Sequence, residues 1–386
     1  MKRVSSIDIT RGIVMIIMAL DHTRDLLHVS SITQSPTDLT KTTAAVFFTR
    51  WITHICAPTF VFLSGTSAWL SFSAKNDLNA SRKFLISRGI WLIIVEFTLV
   101  NFGLWFDIHF RVFISDIIAA IGFGFIVLGI FLNAKPRTLG IAGLIIIFCH
   151  DLFPLIPFAK DSIIGNILTP LFFPQSYQLS AARNLVIAYP PIPWLGIMLV
   201  GFACGKFFMM ETEKRKKMFL QLGIGALALF LILRFINIYG DPNRWSAQKN
   251  GLFSFLSFIN ITKYPPSLLF CLVTLGIMFL MLRLTENLTN RFAKITTVYG
   301  RVPLFYFIVH WYILHPILFA MVFLQGFTSK DLVFGFNFGR PQQGSGLSLG
   351  MVYLVWIGVV ILMYPLCKWY GNYKLNHKEK KWLGYL

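Results

Sequence analysis

The sequence predicts an all-α integral membrane protein, a polytopic bundle of about ten transmembrane helices with both termini on the cytoplasmic side. Of 386 residues, 56% are hydrophobic and only 13% are charged, whereas about 25% are charged in soluble domains. Apolar runs long enough to cross a bilayer recur along the chain. No linker or low-complexity tract interrupts them, so we expect one transmembrane domain over residues 1–386.

The individual spans follow from apolar stretches of about 20 residues, the length that crosses the hydrocarbon core. Ten such stretches are predicted to be helices: 11–30, 52–74, 84–106, 111–133, 138–157, 191–209, 218–238, 264–283, 302–325 and 348–367. The longer connections are rich in Ser, Asn, Gln, Pro and Tyr, and we expect them to select an acceptor substrate. They cover 31–50, 158–190, 239–263 and 326–347.

The formal net charge of +19 does not indicate nucleic acid, because the basic residues fall in short connections rather than along one face. With ten spans, most of them lie on the side of the termini: Lys2, Arg3, Lys75, Arg82, Lys83, Lys135, Arg137, Lys214, Arg215, Lys216, Lys217, Arg291, Lys294, Lys374, Lys378, Lys380 and Lys381. Fewer lie opposite: Lys41, Lys160, Arg183, Arg244, Lys249, Lys330 and Arg340. The positive-inside rule then predicts a multi-pass protein of the plasma (inner) membrane with cytoplasmic termini.

Several common site classes are not indicated. All five cysteines lie in apolar segments without C-x-x-C spacing, so neither a disulfide framework nor a metal site is expected. The sequence contains no P-loop or H-E-x-x-H motif, which argues against nucleotide-hydrolysing and zincin mechanisms. Histidine chemistry inside the membrane is the remaining possibility.

The first helix carries ionisable side chains deep into an apolar run, and it is predicted to be a retained helix rather than a signal peptide. Arg11 and His22 are eleven residues apart, which puts them on one helix face and about 17 Å apart along the axis. Such costly placement predicts a functional site. Asp21 and His28 share a neighbouring face. The alternative is a purely structural polar network.

Ionisable groups in three other helices are candidates for the same site. Arg50 and His54 are neighbours at i and i+4 and should lie near the first helix, because a modest loop joins the two. Glu96 lies inside an apolar run, where a carboxyl group must be paired or protonated. Tyr306 and His310 have the same spacing in the ninth span. Interface anchoring or core packing is the alternative for each.

The sequence also resembles a known family. The segment I-D-I-T-R-G and the Arg11-x10-His22 spacing resemble the signature of integral-membrane acyltransferases that modify surface polysaccharides. Longer segments resemble bacterial relatives of heparan-α-glucosaminide N-acetyltransferase: R-W-I-T-H-I-C-A-P-T-F-V-F-L-S-G from Arg50, R-G-I-W-L-I-I-V-E from Arg88, P-P-I-P-W-L-G-I-M-L-V-G-F-A-C-G from Pro190 and G-R-V-P-L-F-Y-F-I-V-H from Gly300.

The resemblance implies a fold of ten or eleven helices that passes an acyl group, usually acetyl, from cytoplasmic coenzyme A to a sugar across the membrane. It implies that Arg11 lies near the coenzyme A phosphates and that His22 is catalytic. The lysosomal enzyme of the family has Asn at the His22 position, and its proposed active histidine lies in the following loop, where His28 is nearest here. The resemblance therefore divides the catalytic role between His22 and His28, and it carries over neither the lysosome nor heparan.

We accordingly predict an acyltransferase with acetyl coenzyme A as donor, no metal, a glycan or small-molecule acceptor, the lipid bilayer as its surroundings and no nucleic acid partner. The predicted catalytic residues are His22, His28, Asp21 and His54. The predicted donor-binding residues are Arg11, Arg88 and Arg301, and the predicted acceptor-binding residues are Arg50, Tyr306, His310 and Glu96. The alternative is a proton-coupled secondary transporter, whose proton relay would use the same groups. Acceptor identity, N- or O-acylation, acyl-chain length and a homodimer stay open.

Overall fold

The structure, a computed structural model, describes residues 4–155 and 163–384. Lys2, Arg3 and Lys160, which enter the predicted charge distribution, lie outside the described residues. So does the end of the predicted span 138–157.

The described chain is mostly helical, 71%, which confirms the predicted fold class. Its helices are α1 Ser5–Leu27, α2 Ala44–Ile52, α3 Cys56–Lys75, α4 Leu78–Val95, α5 Asn101–Trp105, α6 Ile117–Ile130, α7 Pro136–Cys149, α8 Ile163–Phe172, α9 Pro191–Cys204, α10 Thr212–Ile236, α11 Gly251–Ile259, α12 Leu268–Thr285, α13 Arg291–Gly300, α14 Pro303–Leu324 and α15 Leu349–Asn376. A π-helical turn over Glu96–Val100 joins α4 to α5, and 3-10 turns cover Thr53–Ile55, His150–Leu155, Gly205–Met209, Ser329–Asp331 and Lys381–Gly384.

Eight helical segments in the described residues are long and apolar enough to cross a membrane. They are Ala44–Lys75, Leu78–Trp105, Pro136–Leu155, Pro191–Met209, Thr212–Ile236, Leu268–Thr285, Pro303–Leu324 and Leu349–Asn376. By the same criterion α1 carries too many charges and α6, with 14 residues, is too short. The chain is therefore a multi-pass membrane protein. Helices α1 and α6 also cover most of the two remaining predicted spans, 11–30 and 111–133.

The two ends of the bundle differ in character. At the basic end α1 begins and α15 ends. At the opposite end, the loop end, lie the long connections and a small sheet of β1 (Val112–Ser115), β3 (Arg183–Ile187) and β2 (Gln175–Ser180), in that order. Strand β3 pairs parallel with β1 and antiparallel with β2. The predicted span 111–133 therefore starts too early, because its first residues form a strand.

Helix α1 is held at the basic end by close backbone packing on α13. A Cβ atom on Gly12 would lie 1.8 Å from the Thr296 carbonyl oxygen, and one on Gly300 would lie 1.8 Å from the Asp8 carbonyl oxygen. Only glycine permits this approach at either position. The contact brings the α13–α14 connection, with Arg301, beside the first turns of α1.

At the loop end, α1 is closed by a buried arginine. Arg340 is 1% exposed, and its Nη1 donates to the carbonyl oxygens of Leu26 at 3.0 Å and His28 at 3.1 Å. A guanidinium at this position pairs the last carbonyls of the helix and complements the negative end of its dipole. Leu347 also pairs with this segment through backbone hydrogen bonds to Leu27 and Val29. Both ends of α1 are thus fixed, and so is the placement of the side chains between them.

Candidate active site

A cavity of about 350 Å³ opens among α1, α3, α4, α6 and α14. Its lining combines basic, hydroxyl and apolar side chains: Arg11, Met15, Phe60, Ser64, Ser67, Ala68, Ser71, Phe72, Ser81, Phe84, Leu85, Arg88, Leu92, Ile117, Ile118, Ile121, Phe125, Arg301, Pro303, Leu304, Phe307 and Lys374.

Four basic side chains from four parts of the chain line this cavity. Arg11 is held against α3, where its Nη2 donates to the Leu63 carbonyl oxygen at 2.8 Å and to Ser67 Oγ at 2.6 Å. The structure brings together Arg11, Arg88 and Arg301, the three residues predicted to bind the donor, and adds Lys374 from α15. The sequence pattern had given Lys374 only as one of many basic-end charges. The concentration of positive charge suits a polyanionic ligand.

Most of the other lining side chains are apolar. Met15, Leu92, Ile117 and Phe307 are among them. The ring of Phe307 meets the imidazole of His22 edge-on, with 6.1 Å between the ring centroids. One side chain of the cavity lining therefore also contacts the histidine.

His22 forms a pair with His310 of α14. Nδ1 of His22 and Nε2 of His310 are 2.6 Å apart, and the His22 ring also stacks on Trp311, with centroids 4.2 Å apart. His310 is fully buried, whereas His22 keeps part of its surface exposed. The pair joins two helices that are almost 290 residues apart in sequence.

The hydrogen bonds of the pair fix its protonation pattern. His310 Nδ1 lies 3.1 Å from the carbonyl oxygen of Tyr306, and a carbonyl oxygen only accepts. His310 Nδ1 must therefore carry a proton, which leaves Nε2 of the neutral ring as an acceptor for Nδ1–H of His22. Nε2 of His22 then holds a lone pair, and no residue in the described ranges hydrogen-bonds to it. This arrangement is that of a general base.

Asp21 lies in an ionic network and not on the His22 ring. Its Oδ1 accepts from Arg24 at 2.8 Å and its Oδ2 accepts from Arg50. Arg24 also pairs with Asp25, at 2.7 Å. The structure thus brings the predicted residues Asp21 and Arg50 together beside His22, with both carboxylate oxygens of Asp21 occupied by arginines.

The other two predicted catalytic histidines make no described hydrogen bond or ring contact with His22 or His310. His28 caps the end of α1, where its Nδ1 is 3.0 Å from Ser30 Oγ. His54 is 3% exposed in the turn between α2 and α3, and its ring centroid is 5.4 Å from that of Phe270. Its Nδ1 has no hydrogen-bond partner among the described residues. Catalytic roles for both stay predictions.

Glu96 and Tyr306, predicted to bind the acceptor, are both fully buried. Glu96 opens the π-helical turn and accepts from the Ala119 backbone amide at 3.0 Å through Oε2. Tyr306 meets the histidine pair through its carbonyl oxygen, while its phenol packs edge-on against Tyr299. Acceptor-binding roles for these two side chains are untested. π-Helical turns are frequent at functional sites.

Lys263 is a charged group near this site that the sequence patterns missed. It lies just before α12 and is 9% exposed, with Nζ 5.5 Å from the ring centroid of Tyr189 and 4.9 Å from that of Tyr264. Burial and the neighbouring Tyr264 raise the pKa of Tyr189 well above its usual value, so this phenol is a neutral partner. The sequence signal that could have identified Lys263 is a lysine followed by Tyr-Pro-Pro directly before an apolar span.

Comparison with known families adds independent information. The family model described as "Heparan-alpha-glucosaminide N-acetyltransferase, catalytic" matches residues 3–234, more than half of the chain. His310, Arg301 and Lys263 lie beyond the matched segment. Among curated proteins, no match was found. The described residues contain no group of three or more His, Cys, Asp or Glu side chains that could hold a metal ion.

Proposed function

Because the chain belongs to the heparan-α-glucosaminide N-acetyltransferase catalytic family, a family of membrane acetyltransferases, we propose that it moves an acetyl group from acetyl coenzyme A at its basic end to an acceptor that arrives from the loop end. One observation carries the proposal. Phe307 lines the basic cavity, and its ring meets the imidazole of His22 edge-on, with 6.1 Å between the ring centroids.

The donor fits this cavity by charge and by length. Arg11, Arg88, Arg301 and Lys374 supply positive charge for the phosphates of coenzyme A, and phosphate recognition by arginine is charge-assisted. The pantetheine arm then follows α1 past Met15 along the apolar lining. Arg11 and His22 are about 17 Å apart along the helix axis, which is about the reach of that arm.

His22 acts as the general base in this proposal. Its Nε2 takes the proton from the acceptor hydroxyl or amine while the acceptor oxygen or nitrogen bonds to the thioester carbonyl carbon. The carbon–sulfur bond then breaks, and the leaving thiolate of coenzyme A receives the proton from the His22 imidazolium. His310 orients the ring and keeps the Nδ1 proton of His22 in place.

The orientation in the membrane follows from the distribution of basic residues. Lys and Arg concentrate at the basic end, so the positive-inside rule puts that end in the cytoplasm, where acetyl coenzyme A is made available. We propose a plasma (inner) membrane location in which the loop end faces outward. The acceptor, a glycan or a small molecule, then enters between the long connections.

The test is acetyl transfer by the purified protein in nanodiscs. Thiol release from acetyl coenzyme A is measured with glucosamine, methyl β-D-glucoside and methyl β-D-glucuronide, and acetylated products are identified by mass spectrometry. We expect thiol release and product in step with each other for at least one acceptor. Proton-coupled uptake of solute by proteoliposomes, without acetyl coenzyme A consumption, would support the transporter instead.

A further inference from the structure

Lys263 stands out because it is buried without a hydrogen bond or ion pair anywhere in the described ranges. It is 9% exposed. In the described ranges, the only contacts of its ammonium group are with the rings of Tyr189 and Tyr264. Burying an ammonium group without a polar partner costs several kcal/mol. A group held this way is suited to a ligand that supplies the missing partner.

The nearby carboxylates are already engaged. Both oxygens of Asp21 accept from arginines, and Asp25 accepts from Arg24. Asp116 accepts from the amide of Ile117 at 2.7 Å, where it caps α6. Arg50, which pairs with Asp21, also donates to the Tyr264 hydroxyl at 3.5 Å. Lys263 lies against the Tyr264 ring, so it is close to this network, yet it forms no ion pair with Asp21 or Asp116. Lys263 is therefore a buried cation that no carboxylate in the described ranges pairs with.

The segment that carries Lys263 is rigidly held from both sides. Thr262 donates to Asp241 through its amide at 2.8 Å and its hydroxyl at 2.9 Å, and Ser267 donates to the same carboxylate at 2.7 Å. Asn260 donates to the Thr37 carbonyl oxygen at 3.0 Å. This anchoring fixes the backbone around Lys263 before any ligand arrives, which favours recognition.

We propose that Lys263 binds an anionic group of the acceptor, a carboxylate or a phosphate, and thereby selects acidic acceptors. The inference rests on the proposed function and names the class of molecule that His22 deprotonates. Lys263 lies at the loop end and the basic cavity opens at the other end, so donor and acceptor anions use different cations. The rings of Tyr189 and Tyr264 flank the ammonium group and position it for the ligand.

The experiment compares binding of methyl β-D-glucuronide, glucose 6-phosphate and methyl β-D-glucoside to the protein in nanodiscs, without acetyl coenzyme A. We expect the wild type to bind at least one of the two anions about tenfold or more tightly than the neutral glucoside, equivalent to about 1.4 kcal/mol. Lys263→Met should abolish the preference, Lys263→Arg should retain it, and Lys249→Met, an exposed lysine at the same end, should leave it unchanged. The two anions separate a carboxylate from a phosphate as the recognised group.

Acetyl coenzyme A binding and thermal unfolding, measured in parallel, show whether each variant is folded. If Lys263→Met does not fold, the same binding comparison is made with Lys263→Gln and with the wild type. Equal binding of anionic and neutral ligands by the wild type, or an unchanged preference in a folded Lys263 variant, overturns the inference. If the protein prefers anionic ligands but transfers no acetyl group, the anion site is supported and the proposed function is refuted. If it transfers acetyl groups without a preference for anionic ligands, only the anion site is refuted.

Discussion

The hydrogen bond between Nδ1 of His22 and Nε2 of His310, 2.6 Å long, joins α1 to α14 and determines which nitrogen of His22 carries the proton. The Tyr306 carbonyl oxygen fixes the His310 tautomer, and His310 in turn fixes that of His22. Phe307, which lines the cavity, meets the His22 ring of this pair edge-on. In the proposed mechanism, His310 is therefore a positioning residue that orients the His22 ring, and it is not a second base.

Replacing His310 with Ala should lower kcat about 100-fold, at the lower end of what a positioned base contributes, because Nδ1 of His22 loses its acceptor. The KM for acetyl coenzyme A should not change. His310→Gln, whose amide oxygen can accept the same hydrogen bond, should recover part of kcat. His315→Ala is the matched control, since His315 is equally buried on α14 but bonds to Phe338 at 3.1 Å. Wild-type kcat in His310→Ala would exclude the positioning role.

Replacing Arg301 with Gln should raise the KM for acetyl coenzyme A about tenfold, the effect of losing about 1.4 kcal/mol of binding. The KM for S-acetyl-pantetheine, which lacks the nucleotide, should stay the same because the lost contact is with phosphate. Lys294→Gln removes an exposed charge from the neighbouring helix and should affect neither. Equal increases for both thioesters would place Arg301 outside the nucleotide site.

Replacing Gly12 with Ala should destabilise the protein, because its Cβ would meet the Thr296 carbonyl oxygen at 1.8 Å and force α1 away from α13. Overpacking of this kind costs about 1–3 kcal/mol, measured as a lower midpoint of thermal unfolding in nanodiscs. Gly358→Ala on α15 meets nothing within 4 Å and should be neutral or slightly stabilising. Equal midpoints for the two variants would contradict the close packing.

Replacing Arg340 with Met should lower both the unfolding midpoint and kcat. The carbonyl oxygens of Leu26 and His28 lose their donor, at about 1–3 kcal/mol for each buried acceptor left unpaired. Arg340→Lys should have an intermediate unfolding midpoint and an intermediate kcat, because a single ammonium group replaces the several N–H donors of the planar guanidinium. Thr328→Ala, in an exposed turn of the same connection, serves as control. An Arg340→Met protein as stable as the control would show that this cap is dispensable.

The helices were predictable because apolar runs of about 20 residues have few alternatives in a bilayer. The strand at Val112–Ser115 was not, since its apolar run of three residues is too short to have a period that separates strand from helix. Its partner Arg183–Ile187 is about 70 residues away. The positions of Arg11 and His22 on one face of α1 followed from helix geometry alone.

The site was only partly accessible to sequence reasoning. Arg88 and Arg301 were chosen as basic-end charges, but their meeting in one cavity depends on how four helices pack. The pairing of His22 with His310 required the crossing of α1 and α14, which no spacing specifies. Lys263 is the last residue of the predicted connection 239–263 and was assigned no role there; its burial is what distinguishes it.

The role of His22 as the base for acetyl transfer can be measured by single-turnover transfer of radiolabelled acetyl from acetyl coenzyme A in nanodiscs, with His22→Ala compared with the wild type. Donor affinity is measured on the same samples. We predict a rate about 1,000-fold lower, within the range for loss of a general base, with an unchanged dissociation constant for acetyl coenzyme A. A transfer rate of His22→Ala close to that of the wild type would exclude His22 as the base.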